Sequence, residues 1–346
     1  MKYTPVEIHD QYNALEKTLA ELTRRQADVE AFFAKAAPKR LICIGCGSSY
    51  MLSKSMASLC NQRIGATLPA MAFAAGDVWL NADAYAPLFE GAVVLALSRS
   101  GATSEVINAV AALRERCAFS LMSIACAADT PLEKAGNFTI VLPWAYDESV
   151  CQTRCVANLY AAGALTVSFI GGGSLADACA KATALGNAFI ARHEEALKTL
   201  AARDWRKVVV LADGVIDGVA EEGALAFNEI CQLPSNYYHI LDVRHGPMVL
   251  VDKQTLVIIM RGTEACPHED KLIADAVAKG AAVVVCCTKE TAVPGIAYQA
   301  NVDLCVKNPL RATLYLSVCQ LLAYHKSTLN GSDPDAPSGL SAWIKL

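Results

Sequence analysis

The stretch Arg40-Leu41-Ile42-Cys43-Ile44-Gly45-Cys46-Gly47-Ser48-Ser49-Tyr50 decides the fold. An apolar run meets a glycine turn and passes into an amphipathic segment, which reads as strand, tight turn and helix. The same grammar recurs along the chain. Further strands are expected at Ala92–Leu97, Leu121–Ala125 and Phe138–Leu142, then at Lys207–Ala212, Thr255–Met260, Ala282–Cys286 and Val302–Val306. Short strands alternating with helical stretches are the pattern of βαβ units and a parallel sheet. Arg40 to Lys207, Ala92 to Thr255 and Leu121 to Ala282 are 167, 163 and 161 residues apart. Three near-equal offsets predict an α/β chain in which one doubly wound, parallel-sheet unit is used twice.

Helical stretches are expected at Val6–Ala36, at Asn158–Ile170 and Ser174–Leu200 on either side of Gly171-Gly172-Gly173, and at Pro309–Leu329. The expected organisation is an N-terminal helical segment at 1–36, a first domain with linking helices at 37–200 and a second at 201–346. The last part ends in a Gly/Ser/Asp/Pro-rich tail, Asn330–Gly339, whose end can be pinned to a site. With 346 residues, 54% of them hydrophobic and 18% charged, the chain has core enough for two domains. A formal net charge of -4 gives no basic field to attract nucleic acid or an anionic membrane.

Glu7, Asp10, Glu16 and Glu21 interrupt the apolar residues of Met1–Arg24, unlike a signal peptide, and the apolar runs fall short of the ~20 residues that span a bilayer. A cytoplasmic location without a membrane partner is expected. The fourteen cysteines lie in apolar runs and read as reduced core residues.

Ligands of doubly wound sheets sit outside the carboxyl ends of the strands. Two of the expected strands end in hydroxyl-rich loops: Gly45-Cys46-Gly47-Ser48-Ser49-Tyr50, and Leu97-Ser98-Arg99-Ser100-Gly101-Ala102-Thr103-Ser104-Glu105. Helix N-termini offer unpaired N–H groups and a positive dipole end, so such loops suit an anion. Arg99 adds a guanidinium able to bind phosphate bidentately. Either loop alone also fits ordinary turn and capping chemistry. Two of them after neighbouring strands favour a phosphate site. The corresponding loops of the second half, Asp213-Gly214-Val215-Ile216 and Arg261-Gly262-Thr263-Glu264, carry acids and fit phosphate less well.

The paired loops resemble the signature of the sugar isomerase (SIS) domain, and the resemblance covers most of the chain as a tandem pair of flavodoxin-like domains. It implies that Ser48, Ser49, Ser98, Ser100 and Thr103 hold a substrate phosphate. Arg99 stands where the related synthases have glutamine, so its contact rests on chemistry alone. Glu222-Gly223-Ala224-Leu225-Ala226-Phe227-Asn228-Glu229-Ile230, with Val243-Arg244-His245-Gly246-Pro247-Met248 sixteen residues from acid to histidine, is similar to the isomerase half of glucosamine-6-phosphate synthases. That resemblance implies Glu229 as the base moving a proton between C1 and C2, and His245 as ring opener, supplied by the partner subunit of a homodimer. On spacing alone, Glu229 fits a solvated helix face and His245 a turn. Glu148-Ser149-Val150-Cys151-Gln152-Thr153-Arg154 resembles, more loosely, the loop lining the sugar pocket, with Gln152 and Thr153 as polar contacts and Ser149 as a helix cap in the bland reading.

The chain departs from the synthases in three ways. No glutaminase part precedes the first strand, so no ammonia from glutamine is expected. Ala226 and Ala342 replace two family lysines, with Lys345 the nearest substitute for the second. A glutamate and histidine without those lysines resemble the fructosamine-6-phosphate deglycases, while isomerases and amino-sugar deaminases fit the motifs equally. The competing class is a non-catalytic sugar-phosphate sensor. No cofactor is implied. Cys43-Ile44-Gly45-Cys46 lacks a second pair at zinc spacing, so no metal is expected. His193-Glu194-Glu195 and His268-Glu269-Asp270 read as solvated helix faces.

Overall fold

The structure, a computed structural model, describes residues 2–262 and 266–344. Strands β1 (Leu41–Gly45), β2 (Ala70–Ala74), β3 (Val93–Ser98), β4 (Ser120–Ala125) and β5 (Phe138–Val141) form one parallel sheet in the order β2-β1-β3-β4-β5. Strands β6 (Lys207–Leu211), β7 (Ser235–Tyr238), β8 (Thr255–Met260), β9 (Ala282–Cys287) and β10 (Tyr298–Asn301) form the other, in the order β10-β9-β8-β6-β7. Counted from its own first strand, the second sheet has the same order as the first. The duplication read from the offsets is therefore a duplication of topology.

The chain divides into two compact units. One comprises Met1–His9, Ser149–Cys151 and Lys181–Leu340; the other comprises Asp10–Glu148, Gln152–Ala180 and Ser341–Leu346. In each, apolar strand side chains bury against helices: Ile42, Ile44, Val94 and Ala96 against Val106, Val110 and Leu113 in the first sheet's unit, and Val257, Ile259, Val283 and Val285 against Leu272, Ile273 and Ala276 in the other.

Two strands escape the sequence pattern, and one expected strand is displaced. Ala70–Ala74 and Ser235–Tyr238 are edge strands in which alanines, Ser235 and Asn236 dilute the strand signal of Phe73, Tyr237 and Tyr238. Val302–Val306 is not a strand. The pairing of Asn301 with Cys287 exhausts β9, and after the Val302 N–H has bonded the Cys287 carbonyl at 3.0 Å the chain leaves the sheet. The helical stretch at Val6–Ala36 is two helices, Tyr3–Arg24 and Gln26–Ala36.

The N-terminal helix is capped from the far end of the chain. Asp335 accepts from the backbone N–H groups of Tyr3 (2.7 Å) and Thr4 (2.8 Å) and from the Thr4 hydroxyl (2.7 Å). Partial burial would raise its carboxyl, but these donors outweigh it and hold the group below its ordinary value. A depressed acid contributes stability above its unfolded value, and that contribution is lost as pH falls through the folded one. Asp335→Asn should therefore cost about 1 kcal/mol near neutrality, with a smaller difference in acid. Thermal melts of both chains from neutral pH to pH 3 check this.

The two acidic clusters are solvated only in part: Glu195 and His268 are exposed, their neighbours in the clusters are not. His193 is buried and its Nδ1 meets the Tyr298 hydroxyl at 2.5 Å, while Glu194 binds His9 at 2.9 Å and lies 3.3 Å from His325 Nε2. Glu269 is buried too. Ten of the fourteen cysteines are buried and none is in a disulfide; Cys305 is exposed. No helix among the described residues is long and apolar enough to cross a membrane.

Candidate active site

Strand order reverses between β1 and β3, and a crevice opens outside the carboxyl ends of strands so placed. Ser48 and Ser49 open the helix Ser48–Ile64 directly after β1, and both are buried. A Cβ at Gly45 would lie 2.5 Å from the Ser49 carbonyl carbon, so only glycine lets the helix start this close to the strand. The N-cap residue Gly47 supplies no side chain to this helix start.

Ser98 ends β3, and Arg99, Ser100 and Thr103 follow in the loop to the helix Ser104–Arg114. Gly101 turns the loop at φ +60°, where a Cβ would lie 2.4 Å from Thr130 Oγ1. Ser98 Oγ accepts from the Gly101 N–H (2.8 Å) and Ser100 Oγ from the Ala102 N–H (3.2 Å). Each hydroxyl thereby keeps its own O–H as a donor. Thr103 is the N-cap, yet its side chain makes no capping bond. Arg99 is buried, and its guanidinium donates to the Ala342 carbonyl of the C-terminal tail. Burial pushes the Cys126 and Cys155 thiols and the Tyr146 phenol up, while Arg99 pulls all three down. Its charge is thus felt across the carboxyl edge of this sheet.

Gln152 and Thr153 precede the helix Arg154–Ile170 in the same unit. Asp147, not Ser149, caps that helix: its Oδ2 accepts from the N–H groups of Thr153 (2.8 Å) and Cys155 (3.0 Å). Cys155 Sγ donates to Gln152 Oε1 at 3.1 Å, while the Ser149 hydroxyl donates to the Glu7 carboxylate. Burial raises the Asp147 carboxyl against the pull of those N–H groups and of Arg154, whose Nε lies 3.7 Å away. Sequence reading missed Asp147, because a cap six residues before Thr153 carries no local signal.

The counterpart of Arg99 after β8 is Arg261, also buried. Its Nε donates to Glu269 (2.8 Å) and its Nη1 to Asp270 (2.8 Å), both in the first turn of the helix Pro267–Ala278. Two carboxylates of the chain already stand where an anion would approach this arginine and helix start. The acidity read in the second half is therefore a filled anion position, although its main source is Glu269 and Asp270; Glu264 lies outside the described residues.

Glu229 and His245 belong to the second sheet's unit. Glu229 is half-buried in the last turn of the helix Asp217–Ile230. That helix covers the face of the sheet presented by Met260, since Gly223 packs within reach of Met260 and Cys319. His245 is exposed at the end of the short turn Asp242–Arg244, its N–H donating to Asp242 at 2.9 Å. Val243 and Val251, on either side of His245, bury against Val257 and Ile259 on the opposite face, as the strand's period of two requires. Within one chain the sheet separates Glu229 from His245. The tail position of Ala342 is described, whereas Lys345 lies outside the described residues.

The SIS domain family pattern matches residues 36–170 and 202–325. The chain belongs to the SIS domain family. The SIS domains of this chain are 26% identical to the glutamine–fructose-6-phosphate aminotransferase (isomerizing) of Caulobacter vibrioides, over 98% of this chain and 58% of that protein. The Methanothermobacter thermautotrophicus aminotransferase of the same name is 25% identical over 98% of this chain and 57% of its own length. This chain thus spans little more than half of these relatives. Among solved structures, a glucosamine-6-phosphate deaminase from Thermotoga maritima superposes with a TM-score of 0.83 at 22% identity, covering 100% of both chains. The tagatose-6-phosphate ketose/aldose isomerase of Escherichia coli gives 0.82 at 20% identity over 99% of this chain and 96% of that one. At such identities the structural likeness establishes the fold. Among the described residues no group of His, Cys, Asp and Glu side chains is placed to hold a metal ion.

Proposed function

We propose that this protein is an enzyme acting on a phosphorylated ketose or amino sugar by proton transfer between C1 and C2. The observation that carries the reading is the pair of hydroxyl-rich loops at the carboxyl ends of the adjacent strands β1 and β3, with the buried Arg99 between them. Ser48, Ser49, Ser98, Ser100 and Thr103 would donate to the phosphate, and Gln152 and Thr153 would meet the sugar. The names of the SIS relatives, all concerned with sugar phosphates, agree with this assignment.

Glu229 would take the proton from one carbon and return it to the next, and His245 would protonate the ring oxygen as the ring opens. The separation of Glu229 and His245 by their own sheet favours a shared site built from two copies of the chain. The apolar side chains around His245 agree: Val249 is 79% exposed, Leu250 62% and Leu241 44%. A second copy would cover them and bring His245 to a foreign Glu229.

Ala226 at one family lysine position, and Ala342 at the other, favour the deglycase branch over the synthase reaction. There the same proton transfer converts a ketosamine phosphate to an imine, and water adds to the imine carbon and expels the free amine. Ser100→Ala with Thr103→Ala should weaken inorganic phosphate binding by about tenfold or more, two charge-assisted hydrogen bonds being lost. Calorimetric titration measures it, and equal affinity in both chains would remove the phosphate assignment.

A further inference from the structure

The two halves close the amino ends of their sheets differently. In the first, the Glu90 carboxylate accepts the Ala118 N–H at 2.8 Å and ties the turn before β3 to the turn before β4. Val93 of β3 pairs with Leu41, and Leu256 of β8 with Val208, so the two hold the same register place. Three residues before them stand Glu90 and Lys253. An ammonium group has no lone pair to offer an N–H, so Lys253 cannot make the tie. Gly280, two residues before β9 as Ala118 is before β4, gives its N–H to the Val277 carbonyl instead (2.8 Å). Where the tie would lie there is a cavity of about 440 Å³, lined by Arg203, Trp205, Lys253, Gln254 and residues 280–282.

The charges around this cavity do not cancel. Asp204, also on its wall, is engaged by Arg206 Nε at 3.0 Å, and Asp252 by Lys207 Nζ at 3.0 Å and the Gln254 N–H at 2.9 Å. Those partners hold both carboxyls below their ordinary value. The side chains of Arg203 and Lys253 have no ion-pair or hydrogen-bond partner among the described residues. The turn carrying Arg203 is fixed from beneath. The buried Lys326 donates to the carbonyls of Ala201 (3.2 Å) and Arg203 (2.8 Å), its Nζ 4.2 Å from the centre of the Trp205 ring. Two uncompensated cations on one preformed concave surface attract and hold negative charge.

We propose that this cavity binds a small dianion, a phosphate ester or a dicarboxylate, whose acid groups stand between Arg203 and Lys253 as the Glu90 carboxylate stands between its turns in the first half. None of its residues belongs to the candidate active site, so the proposal is independent of the phosphate reading given above. A ligand bound here bridges the turns before β6, β8 and β9 and slows their local opening in proportion to its occupancy.

Inorganic phosphate and malonate are each titrated into the intact chain at constant ionic strength, with amide exchange followed at residues 203–206, 252–254 and 279–281. Exchange should slow by about tenfold once an anion reaches ten times its dissociation constant. Protection by phosphate alone assigns a phosphate ester, by malonate alone a dicarboxylate, and by both a dianion of either kind. Lys253→Gln should weaken the effect about tenfold or more, one charge-assisted bond being lost. Lys253→Glu, which gives the second half the acid of the first, should abolish it. Both positions are exposed, so neither variant disturbs the core. Protection by neither anion, or protection undiminished in Arg203→Gln with Lys253→Gln, would overturn the proposal. Ser100→Ala with Thr103→Ala should leave the response of these segments unchanged, so this site and the phosphate loops of the first half fail separately.

Discussion

Replacing Glu229 by glutamine is expected to leave sugar-phosphate binding intact and to lower turnover by about 10²- to 10⁴-fold, the usual worth of a general base. Glutamine keeps the size and the hydrogen-bonding reach of the carboxylate but cannot carry the migrating proton. Glu229 sits half-buried in the last helical turn before Ile230, where an amide causes no cavity and no buried charge, so the fold should be unaffected. Turnover is followed by NMR with fructose-6-phosphate, glucosamine-6-phosphate and fructosamine-6-phosphates, in deuterated water so that label entering at the reacting carbons marks the proton transfer itself. Full turnover by Glu229→Gln would sink the assignment. Mixing this variant with His245→Ala tests the shared site. Random pairing of two inactive chains should restore about a quarter of the activity if acid and histidine come from different copies, and none if both act within one.

Much of the fold was legible because a doubly wound unit writes its central strands as apolar runs. Leu41–Gly45, Val93–Ser98, Thr255–Met260 and Ala282–Cys287 are buried on both faces and announced themselves. Ala70–Ala74 and Ser235–Tyr238 have one neighbour each and need no such run, so their sequences say little. The two hydroxyl-rich loops were legible for a related reason: glycines and hydroxyls follow the strands within a few residues, and the backbone of a strand-to-helix turn brings near neighbours in sequence to one point.

Contacts between distant segments left no such mark. Asp335 caps a helix at the other end of the chain, and Asp147 caps one across an intervening loop. His193 pairs with Tyr298, and the charged run His268-Glu269-Asp270 hides a buried acid because its partner is an arginine on the preceding strand end. A run of charged residues reads as solvated until the chain folds a countercharge onto it.

That countercharge sets the largest stability effect expected of the second sheet's unit. Arg261→Met removes the guanidinium and leaves the Glu269 carboxylate buried beside a methyl group, with Asp270 half-exposed nearby. Stripping one partner from a buried pair costs about 3–5 kcal/mol, because the remaining charge has lost its solvent and its mate. The pair as a whole contributes far less, since forming it already required desolvating both groups. Arg261→Met with Glu269→Leu should therefore recover most of the loss, which a simple cavity or a generally fragile loop would not do. Urea unfolding of the single and double variants separates these accounts. A double variant as unstable as Arg261→Met alone would mean that Arg261 is held for packing, and that the carboxylates do not stand in for an anion at this duplicated site.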